Sequence, residues 1–309
     1  MIGLVDKRVP QIDYSSIPFK IIEVEKIGIA AFDEMVKRYS IAELNTSVKP
    51  YYFQYFFTTQ TLADKFIYLD PDILVYRPFT ELEEVLESDD IVIVPHFTSP
   101  INDDKFQAEE DFLNSGLYNL GFIAVKNTEN GVKMINWWAE RLQTKAFIDF
   151  RRGLFTDQIW INFVPLFFEK VYILYHPGYN MAYWNLHERY LVDGDKVKKG
   201  NISFPLVFFH FSGYNPLQPE KLSKYQDRFS FQNRMDIVRL FEEYKLTLID
   251  NDYNTYIQIP CYYVIEKQKF DLTTYESLKK SIPVYKRIIR GIILRFTRLL
   301  KINTDYYTH

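Results

Sequence analysis

Apolar positions along this chain recur in two rhythms. Short apolar runs at residues 2–5, 20–24, 66–69, 91–94, 122–125, 171–174 and 206–211 have the length and composition of strands. Between them, 27–38, 41–57, 131–142 and 231–248 carry apolar residues at helical spacing. In 131–142 the apolar set is Val132, Ile135, Trp138 and Leu142, one face of a helix. Thr156 reads as the N-cap of a further helix over 157–168. Strands alternating with helices predict an α/β fold, a mostly parallel mixed sheet with helices on both faces. The polar stretch 99–110 reads as a mobile loop. There is no internal repeat, and the chain divides into a domain over 1–255 and a helical tail over 256–309.

Composition narrows the class. With 309 residues, 47% of them hydrophobic and 25% charged, the chain can bury a large core. A net charge of −3 gives no bulk attraction to nucleic acid. The single cysteine, Cys261, leaves no internal disulfide and fits a reducing compartment. Asp6 and Lys7 follow the first apolar run too soon for a secretory signal, and no uninterrupted apolar run reaches ~18 residues. The expected location is the cytoplasm.

The candidate chemistry centres on Asp70-Pro71-Asp72. The pair follows the apolar run Lys65-Phe66-Ile67-Tyr68-Leu69, so it is expected at a strand's carboxyl end, where α/β sheets bind ligands. Two carboxylates this close repel unless a divalent cation lies between them and a ligand's phosphates. The plain alternative is an Asp-Pro turn. A phosphohydrolase with Asp70 as nucleophile fits less well, since Leu74 stands where that chemistry wants Thr or Val.

Four further clusters bear on the same crevice. Lys49 precedes Pro50 and could reach a diphosphate as a point charge, or be a solvated helix lysine. Asn119-Leu120-Gly121 opens a strand; Gly121 would admit a ligand and Asn119 would bond a hydroxyl, or the three form a plain turn. Asp157-Gln158 opens a helix, where Asp157 could serve the site or only the helix dipole. His210 ends an apolar strand before Phe211-Ser212-Gly213, which makes it either a core histidine or a third metal ligand.

Taken in order and spacing, Asp70-Pro71-Asp72, Tyr118-Asn119-Leu120-Gly121-Phe122, Asp157-Gln158 and His210-Phe211-Ser212-Gly213 resemble the nucleotide-sugar glycosyltransferases of the GT-A fold, nearest to the glycogenin and bacterial lipopolysaccharide galactosyltransferase group. Residues 176–189 are similar to bacterial sugar transferases of polysaccharide biosynthesis. The resemblance covers roughly residues 1–250 and implies a Rossmann-like sheet. It implies that Asp70, Asp72 and His210 hold Mn²⁺ or Mg²⁺ against the diphosphate of a nucleotide-diphosphate sugar donor, with Lys49 and the Gly213 backbone beside the phosphates. Asn119 and Gly121 would contact the donor sugar, and Asp157 and Gln158 its reacting face. Asn180, Trp184 and Asn185 would face a glycan or lipid-linked acceptor, although Trp184 reads equally as core. Transfer with retention is the favoured outcome.

The chain departs from the family in two places. The family usually opens with a nucleobase-binding strand ahead of the one matching 2–5, and this sequence starts without it. That motivates an alternative, a catalytically impaired glycan-binding or scaffold subunit. The family's lysine after the His-x-x-Gly element is also missing, since Tyr214-Asn215-Pro216-Leu217 follow Gly213.

The tail carries its own pattern. Over 284–302, Val284, Ile288, Ile289, Ile292, Ile293, Phe296, Leu299 and Leu300 share one helical face, while Lys286, Arg287, Arg290, Arg298 and Lys301 fall largely on the other. No acidic residue lies between Glu276 and Asp305. This is the pattern of an interfacial helix on an anionic membrane, which would make the protein peripheral on the inner face.

Overall fold

The apolar runs do become strands, but their directions differ from the expected pattern. In the computed structural model, which describes residues 1–281, a four-stranded sheet runs in the order Lys65–Leu69, Tyr118–Lys126, Ile91–Pro95, Val171–Ile173. Tyr118–Lys126 is antiparallel to both its neighbours, with Leu69 opposite Phe122 and Ile93 opposite Ile123. Only Ile91–Pro95 and Val171–Ile173 pair in parallel within it. The sheet is therefore mixed and mostly antiparallel. An unbroken apolar run reports burial on both faces, and burial is blind to the direction of the neighbouring strand.

Two smaller pairings frame it. Ile2–Leu4 and Ile21–Glu23 form a parallel pair. Ile73–Val75 and Phe208–His210 form an antiparallel pair that sets His210 opposite Ile73. The Asp70–Asp72 turn thus leads straight into the strand that holds His210.

The helices break where the local chemistry requires it. The expected helix over 41–57 is two, Ile41–Ser47 and Lys49–Thr59. Ser40 and Glu43 form a capping box at the start of the first. Pro50 falls in the first turn of the second, where its missing N–H costs nothing. The run over 157–168 likewise splits into Gln158–Ile161 and Val164–Phe167, with Pro165 opening the second. Glu129–Lys145 starts at Thr128, whose side chain accepts from the Gly131 N–H, and it buries Ile135, Trp138 and Leu142 against the sheet. Helix 27–38 shortens to Phe32–Arg38 behind Gly28, which takes a left-handed conformation. The loop over 99–110 is tied down by Arg228, which bonds Asp103 and the carbonyls of Lys105 and Gln107.

A second core fixes the strand that carries His210. The pleat sends Phe209 and Phe211 to one face, where both rings meet Phe241 of the Val238–Asp250 helix and Phe211 stacks on Tyr244 at 3.9 Å. Phe208 and His210 face the other way, and Phe208 stacks on Phe122 at 5.4 Å.

The tail begins inside the fold, not apart from it. Tyr263 of the Tyr262–Ser281 helix is buried in the first core, its ring 5.1 Å from Phe32, and the Tyr262 N–H donates to Asp6. The expected boundary at 255 therefore does not divide two bodies at this point. The interfacial pattern over 284–302 lies outside the described residues. Among the described residues, no helix is long and apolar enough to cross a membrane.

Candidate functional site

The end of the Lys65–Leu69 strand and the end of Phe208–His210 meet at one point. Ligand atoms of Asp70, Asp72 and His210 lie within 4.8 Å of one another. The Asp70 N–H donates to the Gly121 carbonyl, and its carbonyl accepts from Ile73, closing the turn that presents both carboxylates. The Asp72 carbonyl accepts from the Phe211 N–H, which locks the turn to the histidine strand. His210 Nε2 stands 2.9 Å from Asp72 Oδ1. Burial would raise the Asp72 carboxyl, but a His210 that also carries a proton on Nε2 outweighs it and holds Asp72 below its ordinary value.

Lys49 sits beneath this cluster and is only 5% exposed. Its Nζ is 3.0 Å from Asp157 Oδ2 and 3.4 Å from Asp70 Oδ1, donates to the Leu120 carbonyl at 2.9 Å, and lies 4.6 Å from the centre of the Tyr68 ring. Burial alone would push its ammonium down. The charges of Asp157 and Asp70 outweigh burial and hold it well above the ordinary lysine value. The expected point charge for a diphosphate is thus already engaged by the protein. Tyr68 adds a hydroxyl that donates to Asp70 Oδ1.

Asp157 is 2% exposed and points inward to Lys49. It holds the N-cap position of Gln158–Ile161 without making a side-chain capping bond. Thr156, expected as the cap, instead donates its hydroxyl to Asp157 Oδ1. Gln158 spends both ends of its amide on backbone, accepting from the Leu120 N–H and donating to the Ser115 carbonyl. It fastens the helix start to the central strand.

Asn119 and Gly121 serve the histidine. Asn119 Oδ1 is 3.2 Å from His210 Nδ1, and its amide nitrogen is 3.4 Å from Nε2 of His96. A Cβ on Gly121 would fall 2.8 Å from His210 Nδ1, so the glycine makes room for the imidazole. Gly213 is left-handed, with φ 73°, and its Cα hydrogen faces Ser223 and Tyr225. Asn180, Trp184 and Asn185 are buried behind the site, not open to an acceptor. Trp184 stands edge-on between both imidazoles, 5.2 Å from His96 and 5.1 Å from His210. Asn185 bonds the carbonyls of His96 and Asn180.

Sequence reasoning passed over His96 and Tyr68. His96 follows the strand Ile91–Pro95 directly, the same strand-end position that singled out Asp70 and His210. Tyr68 lies two residues before Asp70, on the same side of the pleat.

The donor set suits a divalent cation. Asp70, Asp72 and Asp157 bring three carboxylates against the single ammonium of Lys49, which leaves two negative charges when His210 is neutral. Two carboxylates and an imidazole supply oxygen and nitrogen donors of the kind that bind such an ion.

Comparison with known proteins gives little beyond this geometry. The chain is 27% identical over 210 residues to "Uncharacterized protein YfnF" of Bacillus subtilis (strain 168), a match that covers 65% of each chain. It is 26% identical over 155 residues to "Uncharacterized protein YfnD" of the same organism, covering 49% of this chain and 47% of that protein. The chain thus spans less than two thirds of the length of either relative. No protein-family profile and no solved structure matches.

Proposed function

We propose that the chain is a metal-dependent glycosyltransferase of GT-A type that moves a sugar from a nucleotide-diphosphate donor to a glycan or lipid-linked acceptor, in surface polysaccharide biosynthesis. The observation that carries this reading is the Asp70–Asp72–His210 cluster with its two uncompensated negative charges. A cation held there would be Mn²⁺ or Mg²⁺, with the imidazole favouring Mn²⁺. When bound, it would offset the charge that gathers on a departing diphosphate.

The residues of the chain then divide the work. Asp70, Asp72 and His210 hold the cation. Lys49 holds the Asp70 and Asp157 carboxylates in place. Burial raises the Asp157 carboxyl despite the ammonium of Lys49 beside it, and when ionised it is placed to stabilise positive charge on the sugar. The family resemblance favours retention, where the leaving phosphate can serve as base. The basic apolar pattern over 284–302 would hold the enzyme on an anionic surface beside a lipid-linked acceptor.

The test is calorimetric titration with UDP, GDP and ADP, each in Mn²⁺ and in chelator. One nucleotide should bind with Mn²⁺ and lose its affinity in chelator. If none of them binds in Mn²⁺, the reading fails in favour of a metal-stabilised module without nucleotide chemistry.

A further inference from the structure

We infer that His96 is a positioning residue for the metal centre, acting through Asn119 to hold His210 protonated on Nδ1 so that Nε2 is free to bind the cation. This rests on the metal reading above and adds to it a residue that does not touch the metal. The argument proceeds from one buried atom to the next. His96 Nδ1 lies 3.2 Å from the Leu117 carbonyl oxygen. A carbonyl oxygen only accepts, so the nitrogen facing it carries the proton. Burial keeps His96 neutral, its value pushed down to about 3, so its other nitrogen is bare. Nε2 therefore needs a donor, and the group facing it at 3.4 Å is the Asn119 side chain. The NH₂ of that amide must point to His96, which turns Oδ1 to His210 Nδ1 at 3.2 Å. An amide oxygen also only accepts, so His210 carries its proton on Nδ1. Its Nε2 is left facing Asp72 and the cluster.

Packing fixes where both imidazoles sit. The Trp184 ring meets both imidazoles edge-on, and Gly121 leaves no side chain to displace that of His210. The His96 backbone N–H bonds the same Leu117 carbonyl as its ring, and its own carbonyl accepts from Asn185. The ring thus has a fixed origin. Metal-binding histidines commonly depend on such an outer partner, whose loss weakens metal affinity by about 10- to 100-fold.

The test uses the full chain and Mn²⁺ alone, followed by the EPR signal of free Mn²⁺, with a thermal melt to establish folding. His96→Leu removes the acceptor that orients Asn119 and should weaken Mn²⁺ binding by about 10- to 100-fold. His96→Gln retains one donor and one acceptor and should restore most of that affinity, which a merely space-filling role would not produce. Independently, ¹⁵N-histidine NMR of the wild-type chain with Zn²⁺ should find both His96 and His210 protonated on Nδ1, with His210 Nε2 bound to metal. A His96 protonated on Nε2 overturns the proposal whether or not the variants fold. A folded His96→Leu that binds Mn²⁺ as tightly as the wild type overturns it alone. A wild-type chain that binds no Mn²⁺ overturns the metal reading and this proposal with it.

Discussion

Lys49 Nζ lies 3.0 Å from Asp157 Oδ2 and 3.4 Å from Asp70 Oδ1, so one buried ammonium joins the start of a helix to the end of the aspartate strand. The lysine opens its own helix at Pro50 and sits among Tyr68 and the Leu120 carbonyl, away from bulk water. Its role in this geometry is to set the shape and charge of the site from below.

That placement predicts a large cost for losing it. Removing one member of a buried ion pair typically costs about 3–5 kcal/mol, because the remaining charge stays buried without a partner. Lys49→Met should lower the unfolding free energy in urea by about that amount. Adding Asp157→Asn to the same chain should return part of it. A loss below about 1 kcal/mol would place the pair in the class of exposed salt bridges and contradict its burial.

The proposed metal site predicts a linkage effect. At Mn²⁺ a hundredfold above its dissociation constant, the folded state should gain about 2.7 kcal/mol. EDTA should remove that gain in full. Asp72 is 37% exposed at its side chain, so Asp72→Asn should fold normally. It should nonetheless show no Mn²⁺-dependent rise in Tm, and any transferase turnover should fall by on the order of 100-fold. A full Mn²⁺ response in Asp72→Asn would exclude Asp72 as a ligand.

Gly121 predicts a variant that separates metal binding from folding. An alanine Cβ would meet the His210 ring and Asn119 Oδ1 at once. Overpacking of this kind costs about 1–3 kcal/mol. Since the atoms displaced are those of the ligand and its support, Gly121→Ala should lose Mn²⁺ affinity out of proportion to its Tm change. If the glycine served only to admit a substrate, Mn²⁺ affinity would be unchanged.

His96 predicts a pH dependence with a definite sign. Its folded-state value is about 3 against an ordinary 6.5. Between those values the unfolded chain binds a proton there that the folded chain refuses, so stability falls as pH drops below 6.5. The slope from one such group approaches about 1.4 kcal/mol per pH unit. His176 is also lowered by burial and adds to the total, so the informative quantity is the difference between wild type and His96→Gln. Urea unfolding from pH 7.5 to 4.5 should give a shallower loss in the variant. Parallel curves would mean that His96 charges freely in the folded state.

The tail predicts membrane attachment from sequence alone. Basic residues near an anionic surface contribute about 1 kcal/mol each, and the attraction weakens with salt. The full chain should sediment with anionic liposomes at low salt, and a chain ending at Ser281 should not. Equal behaviour of the two would remove residues 284–302 from the functional account.

What the sequence determined by itself was local. Asp70-Pro71-Asp72 follows an apolar run directly, so the carboxylates had to emerge at a strand end, and His210 was readable in the same way. The helix over Glu129–Lys145 and its buried face were legible because helical spacing and burial coincide there. The direction of the sheet was not, since the Tyr118–Lys126 strand is buried on both faces and its apolar run is the same for either orientation. The roles of Lys49, Asn119 and Gly121 were not legible either. Lys49 bonds a carbonyl 71 residues away, and Asn119 meets His210 across 91 residues. Such partners are chosen by packing in three dimensions, because a buried amide or ammonium takes whichever complementary group the fold brings within reach.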